Sequence, residues 1–200
     1  MIRITGGTFR GQKLFSPDDL SVRPAPDMVR VALFNILRDY VPEANVLDLF
    51  AGTGALGIES LSRGACFALF VEKEKTNCGI IEKNLNKLSL LSPNKEGKPY
   101  ALVKNIDALN ILSSVSLHGN PFDIIFVDPP YALTEDSGRR KVLRTLLLHL
   151  LEPDISSDCS VILFRERKNS FTADEVFAKK IDSVRTYGTT KVSIIEIRRS

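Results

Sequence analysis

Asn45-Val-Leu-Asp-Leu-Phe-Ala-Gly-Thr-Gly-Ala-Leu-Gly57 is the stretch whose reading decides the fold. Asn45 to Phe50 reads as a strand, Gly52-Thr-Gly-Ala-Leu-Gly57 as a turn opening a helix, and that helix runs through Arg63 until Gly64 stops it. Glycines let a backbone come close to a ligand, and the first turn of a helix offers free amides. A strand, a glycine turn and a helix in that order are the opening unit of an α/β sheet.

The same alternation continues outward. Phe67 to Val71 is a second strand ending in Glu72, and Thr76 to Leu88 carries a helical period through Ile80, Ile81, Leu85 and Leu88. Ser89 to Pro99 reads as a surface loop, Tyr100 to Val103 as a third strand, and a short helix follows Asp107. Asp123 to Val127 is a fourth, buried strand. Leu133 to Gly138 reads as a loop, and Val142, Leu143, Leu146, Leu147 and Leu150 define an amphipathic helix. Ser160 to Phe164 is a fifth strand, with a short helix near Phe171 to Lys179. Ile181 to Tyr187 and Lys191 to Ile197, split by Gly188, read as a hairpin added to the sheet edge. Strands alternating with helices predict a mostly parallel, doubly wound α/β sheet, made mixed by the closing hairpin. Residues 1–24 form a cationic arm with a small hairpin, and residues 25–200 form the core of a single domain. A helix begins at Asp27.

Two constellations carry chemistry. In an open α/β sheet, ligands sit at the C-terminal ends of the strands, where the glycine turn and Glu72 lie. The spacing matches a dinucleotide fingerprint, so an NAD(P) oxidoreductase is one reading, with Gly57 alternatively a helix–strand packing residue. Asp48, near the end of the first strand, repels a pyrophosphate but favours an ammonium or sulfonium. S-adenosylmethionine (SAM) carries both cations and no phosphate, and Asp107 is placed to accept from an adenine amine. Asp48 also has a plainer role, tying the loop down, and the two are compatible. The second constellation is Asp123-Ile-Ile-Phe-Val-Asp-Pro-Pro-Tyr131. Asp128 supplies carboxylate acceptors, Pro129 and Pro130 stiffen the exit from the strand, and Tyr131 adds a flat face. Such a rim suits a planar group bearing an amine, although Asp-Pro-Pro at a strand end also serves as simple turn chemistry.

Composition is compatible with these readings. The 200 residues are 44% hydrophobic with a net charge of +3, enough for one sizeable core and for a nucleic-acid partner. No apolar run approaches the ~20 residues that cross a membrane, and the N-terminus lacks a signal-peptide core. Cys66, Cys78 and Cys159 are odd in number and fit no metal spacing, which points to a reducing cytoplasm, with two of them as core filler. His118 and His149 are far apart, so no metal site is expected.

Asp48-Leu-Phe-Ala-Gly-Thr-Gly54 with Asp128-Pro-Pro-Tyr131 resembles class I SAM-dependent methyltransferases, a Rossmann-like fold, that modify exocyclic or amide nitrogens. Ile4-Thr-Gly-Gly-Thr-Phe-Arg-Gly11, Arg23-Pro24, Val29-Arg30, Ala32-Leu-Phe-Asn-Ile-Leu37 and Tyr187-Gly188 are similar to the RsmD family of 16S ribosomal RNA guanine-N2 methyltransferases. The resemblance spans nearly the whole chain. It implies methyl transfer from SAM, leaving S-adenosylhomocysteine, to the 2-amino group of a guanine in 16S rRNA of the assembling 30S subunit; a cytoplasmic monomer is expected. It implies that Asp48, Phe50, Gly52, Thr53, Gly54, Glu72, Lys73, Asp107 and Ala108 hold SAM. Asp128, Pro129, Pro130 and Tyr131 would hold the guanine, and Arg3, Arg10, Lys13, Arg23 and Arg30 are the candidates for phosphate contacts. The segment Arg23-Pro-Ala-Pro-Asp-Met-Val-Arg-Val31 departs from the family pattern of Arg-Pro-Thr with a basic residue before Val-Arg-Glu. Rival readings are N-methylation of DNA adenine or a protein glutamine, the oxidoreductase above, and a non-catalytic RNA-binding module.

Overall fold

In the computed structural model the chain forms two units, Met1–Asp107 and Ala108–Ser200. Residues 2–17, 27–93, 97, 100–114, 121–168, 172–177 and 181–199 are described.

The first unit is built on three parallel strands. β3 (Asn45–Leu49) pairs with β4 (Phe67–Glu72), and β4 with β5 (Ala101–Asn105). Every residue of β4 is buried, as expected of a parallel strand covered on both faces. α2 (Ala55–Ser62) follows β3, and α3 (Lys75–Lys87) follows β4.

α2 is buried almost all round, including Glu59, Ser60 and Ser62. One side packs on the sheet so tightly that a Cβ added at Gly57 would lie 2.3 Å from Phe70 Cε1. The other side is covered by the N-terminal arm, whose strands β1 (Ile2–Arg3) and β2 (Lys13–Leu14) pair antiparallel. The predicted hairpin is therefore present, and it is stitched down. Glu59 accepts from Thr5 N at 2.8 Å and Thr5 Oγ1 at 2.7 Å, and pairs with Arg63 at 2.8 Å. Ser62 Oγ donates to Gly6 O and accepts from Phe9 N. Gly7 (φ +77°) has no room for a side chain, since its Cβ would fall 1.8 Å from Ser62 O. Further along the arm, Asn84 of α3 accepts from Phe15 N at 2.7 Å and donates to Phe15 O at 3.1 Å. It also donates to Thr53 O at 3.3 Å. α1 (Asp27–Ile36) begins at Asp27, as its sequence predicts, and buries Val29, Leu33 and Phe34.

In the second unit β6 (Phe122–Val127) pairs parallel with β7 (Ser156–Arg167). β9 (Thr190–Glu196) then runs antiparallel to β7, and β8 (Ser183–Tyr187) antiparallel to β9. The closing hairpin is thus where its sequence placed it. A 3-10 helix (Ala108–Ser114) opens this unit, and α6 (Thr172–Phe177) lies between β7 and β8.

Three expectations change. Leu133 to Gly138 is mostly helix: α4 (Tyr131–Glu135) starts directly after Pro130, and α5 (Ser137–His149) is capped by Asp136, whose carboxylate accepts from Arg139 N at 2.8 Å. β7 extends beyond Phe164 to Arg167, because β9 offers it a partner through Thr190. Cys78 is buried, whereas Cys66 and Cys159 are exposed. Cys66 lies just before β4, and Cys159 on the stretch of β7 that precedes its ladder with β9.

Candidate active site

The cofactor residues foreseen in the sequence lie in the first unit, apart from Ala108, which opens the 3-10 helix of the second. The turn after β3 is held by unusual backbone. Phe50 (φ 60°), Gly52 (φ 57°) and Gly54 (φ 76°) are all left-handed. For Phe50 that conformation costs on the order of 1–2 kcal/mol, and strain of this kind concentrates at ligand sites. Asp48 is buried, and its Oδ2 accepts from Gly57 N at 2.9 Å, so the carboxylate caps the start of α2. Glu72 closes the turn from β4. Its Oε2 accepts from Gly52 N at 2.7 Å and its Oε1 from Glu74 N at 2.8 Å. Lys73 pairs with Asp107 at 3.3 Å. Asn105 joins these groups, donating to Glu72 O at 3.1 Å and to Lys73 O at 2.6 Å. Thr53 is buried, and its carbonyl is engaged by Asn84.

The residues foreseen as holding the acceptor lie in the second unit. β6 delivers Asp128 to the strand end, and Pro129 is buried while Pro130 is exposed. The carbonyl of Pro130 accepts from Leu133 N and starts α4. Asp128 Oδ1 accepts from Arg165 Nε. Burial pushes the Asp128 carboxyl above its ordinary range, and the Arg165 guanidinium pulls it partly back. Tyr131 is fixed at both ends: Arg167 lies over its ring, 4.8 Å from the centroid, and its Oη lies 3.3 Å from Thr190 Oγ1. Arg167 also pairs with Glu135 at 2.9 Å.

The arm is less open than its sequence suggests. Arg10 and Lys13 are exposed. Arg3 is exposed but paired with Asp27 at 3.1 Å. Arg30 is the correction. It is buried, and Nη2 donates to Arg3 O and pairs with Asp27 at 3.0 Å. Its guanidinium locks the arm to α1 and is not presented to a phosphate. Arg23 lies outside the described residues.

Sequence reading missed Asn84, Asn105, Arg165, Arg167 and Thr190. For the arginines a signal was there: Arg165-Glu166-Arg167 continues the period of β7, so both arginines take the face opposite Glu166, which pairs with Lys191.

A family model described as "Conserved hypothetical protein 95" matches residues 2–196. The "Ribosomal RNA small subunit methyltransferase D" of Escherichia coli (strain K12) is 43% identical over 146 residues, 68% of each chain. The Haemophilus influenzae protein of the same name is 38% identical over 130 residues, covering 65% of this chain and 64% of that one. Among solved structures, yhhF from Escherichia coli, provisionally named a methyltransferase, superposes with a TM-score of 0.75 at 27% identity over 100% of this chain and 99% of its own. These likenesses agree with the α/β, Rossmann-like architecture and its C-terminal antiparallel hairpin. The chain belongs to the RsmD family of methyltransferases.

Proposed function

We propose that the protein transfers a methyl group from SAM to the exocyclic 2-amino group of a guanine in 16S ribosomal RNA, acting as a cytoplasmic monomer on the assembling 30S subunit. The name of the Escherichia coli relative supports a ribosomal RNA substrate. The observation that carries the choice of an amine is the strand-end rim of Asp128, Pro129, Pro130 and Tyr131.

The first unit fits SAM. Each carboxylate oxygen has two lone pairs, and the backbone amides take one on each oxygen of Glu72, leaving acceptors for a ribose diol. Asp48, Phe50, Gly52, Thr53, Gly54, Lys73 and Asp107 complete the set in this unit, and the resemblance adds Ala108. Asp48 occupies the helix amide that a pyrophosphate would need, and Gly57 serves packing. The engaged amide favours SAM over a dinucleotide, whereas close packing at Gly57 suits either. When bound, SAM supplies an electrophilic methyl on a sulfonium and leaves as S-adenosylhomocysteine.

Guanine's amine is a poor nucleophile because its lone pair is delocalised into the ring. Asp128 and the carbonyl of Pro129 accept its hydrogens, favour a pyramidal nitrogen and free that lone pair. The Pro-Pro segment holds these acceptors still, so the gain comes from positioning and electrostatics. Tyr131 stacks on the base, which must leave its own stack to enter. Arg10 and Lys13 meet RNA phosphates.

The test is Asp128→Ala. SAM affinity by calorimetry stays within about twofold, and tritiated-methyl transfer to 30S particles or naked rRNA from a strain lacking this protein is lost. Nucleoside analysis of the wild-type product yields N2-methylguanosine. Unchanged turnover in the variant would sink the assignment, and methylation of DNA or of a glutamine peptide instead would redirect it.

A further inference from the structure

Asp128 and Arg165 form a pair that the methyl-transfer reading does not use. Arg165 reaches Asp128 from β7, the strand parallel to β6 in the same unit. Both side chains are largely buried, at 16% and 17% exposure. Oδ1 of Asp128 is taken by the guanidinium, whereas Oδ2 has no partner among the described residues. The neighbouring charges are committed elsewhere: Glu135 of α4 pairs with Arg167, and Lys191 of β9 pairs with Glu166. Among the described residues, Arg165 is therefore the charged group that acts on Asp128.

We propose that Arg165 is a positioning residue for the acceptor amine: it grips Oδ1, fixes the plane of the Asp128 carboxylate and leaves Oδ2 as the acceptor for the amine. The proposal rests on the reading of Asp128 as the amine's acceptor. A carboxylate held at one oxygen by a guanidinium has its rotation about the Cβ–Cγ bond stopped, and its remaining lone pairs point in a set direction. The charge matters equally, because a protonated carboxyl places a donor where the amine needs an acceptor. Burial alone drives Asp128 toward that neutral form. Arg165 opposes it.

The experiment has two readouts. The first is the carboxyl carbon resonance of Asp128, titrated by NMR in the protein without SAM or RNA. In Arg165→Met the titration midpoint moves to higher pH than in the parent, and in Arg165→Lys most of the movement is recovered. The second is the pH dependence of kcat for rRNA methylation. Its acidic limb moves upward in Arg165→Met by the same interval, so that kcat falls on the acidic side and recovers as pH rises through the new midpoint, while the Kd for SAM stays unchanged. Arg165→Gln, which keeps a donor without the charge, replaces the methionine variant if the latter does not fold. A midpoint that does not move overturns the pair. A midpoint that moves while the kcat profile stays fixed overturns the positioning role of Arg165 and leaves the ion pair standing, whereas the acceptor role of Asp128 falls only if Asp128→Ala still methylates.

Discussion

Asp128 is pulled in two directions. Its carboxyl is held above its ordinary value of 3.8 by burial, against the pull of Arg165. As pH falls from neutral, the folded protein therefore takes up this proton before the unfolded chain does. This group's contribution to stability then rises as pH falls and is lost as pH climbs through the folded-state value. On the proposed mechanism activity runs the other way, since the amine would need the carboxylate. We predict that the double variant Asp128→Asn with Arg165→Met, which removes a largely buried pair without leaving either charge alone, is as stable as the parent at pH 7 or more stable. The gain is between zero and about 4 kcal/mol in urea unfolding, and methylation is absent. Gly57 makes a contrasting residue-scale case. Gly57→Ala forces Phe70, itself fully buried, to move, and should cost on the order of 1–3 kcal/mol by the same measurement.

At the level of elements, the arm and α2 form one unit of structure, with Glu59 as the fastener. Glu59→Ala removes the acceptor of Arg63 Nε and of both donors of Thr5, leaving the Arg63 guanidinium its hydrogen bond to Thr5 Oγ1. The expected result is rapid proteolytic cleavage in residues 5–17 and weaker rRNA binding, while SAM affinity changes little. Protease digestion followed by mass spectrometry checks it. The arm's pairing was legible because Ile2-Arg3-Ile4 and Lys13-Leu14-Phe15 alternate, and Ile2 and Leu14 are indeed its buried partners. Its fastening was not. Glu59 sits inside an apolar helix, and nothing local shows that a segment 54 residues away supplies its donors. The α4–α5 corner was misread for a related reason. Asp136, Ser137 and Gly138 are turn formers by composition, yet Asp136 spends its carboxylate on a helix cap. Arg30 looked like a free cation because its acid, Asp27, lies one turn away on the same helix and is shared with Arg3.

At the scale of the whole molecule, the glycine turn and the Asp-Pro-Pro-Tyr rim were both recognisable from sequence because each depends on residues adjacent in the chain. The groups that hold them still, Asn84, Asn105, Arg165 and Arg167, depend on pairing between distant segments. The modest net charge of +3 implies that rRNA binding draws on a few local cations. We predict that Arg10→Ala with Lys13→Ala lowers the slope of log affinity against log salt by roughly 1–2, while kcat at saturating RNA stays near the parent value. An unchanged slope would place the RNA on another face.

Asn84 makes the arm and the glycine turn answerable to each other. One buried amide is spoken for at both ends, by the Phe15 backbone and by the Thr53 carbonyl. If RNA shifts the arm and cofactor shifts Thr53, each shift reaches the other through this amide. Thermodynamic reciprocity then requires RNA to change the affinity for SAM by the same factor as SAM changes the affinity for RNA. In Asn84→Ala the two binding events should become independent, which calorimetric titration of SAM with and without RNA checks.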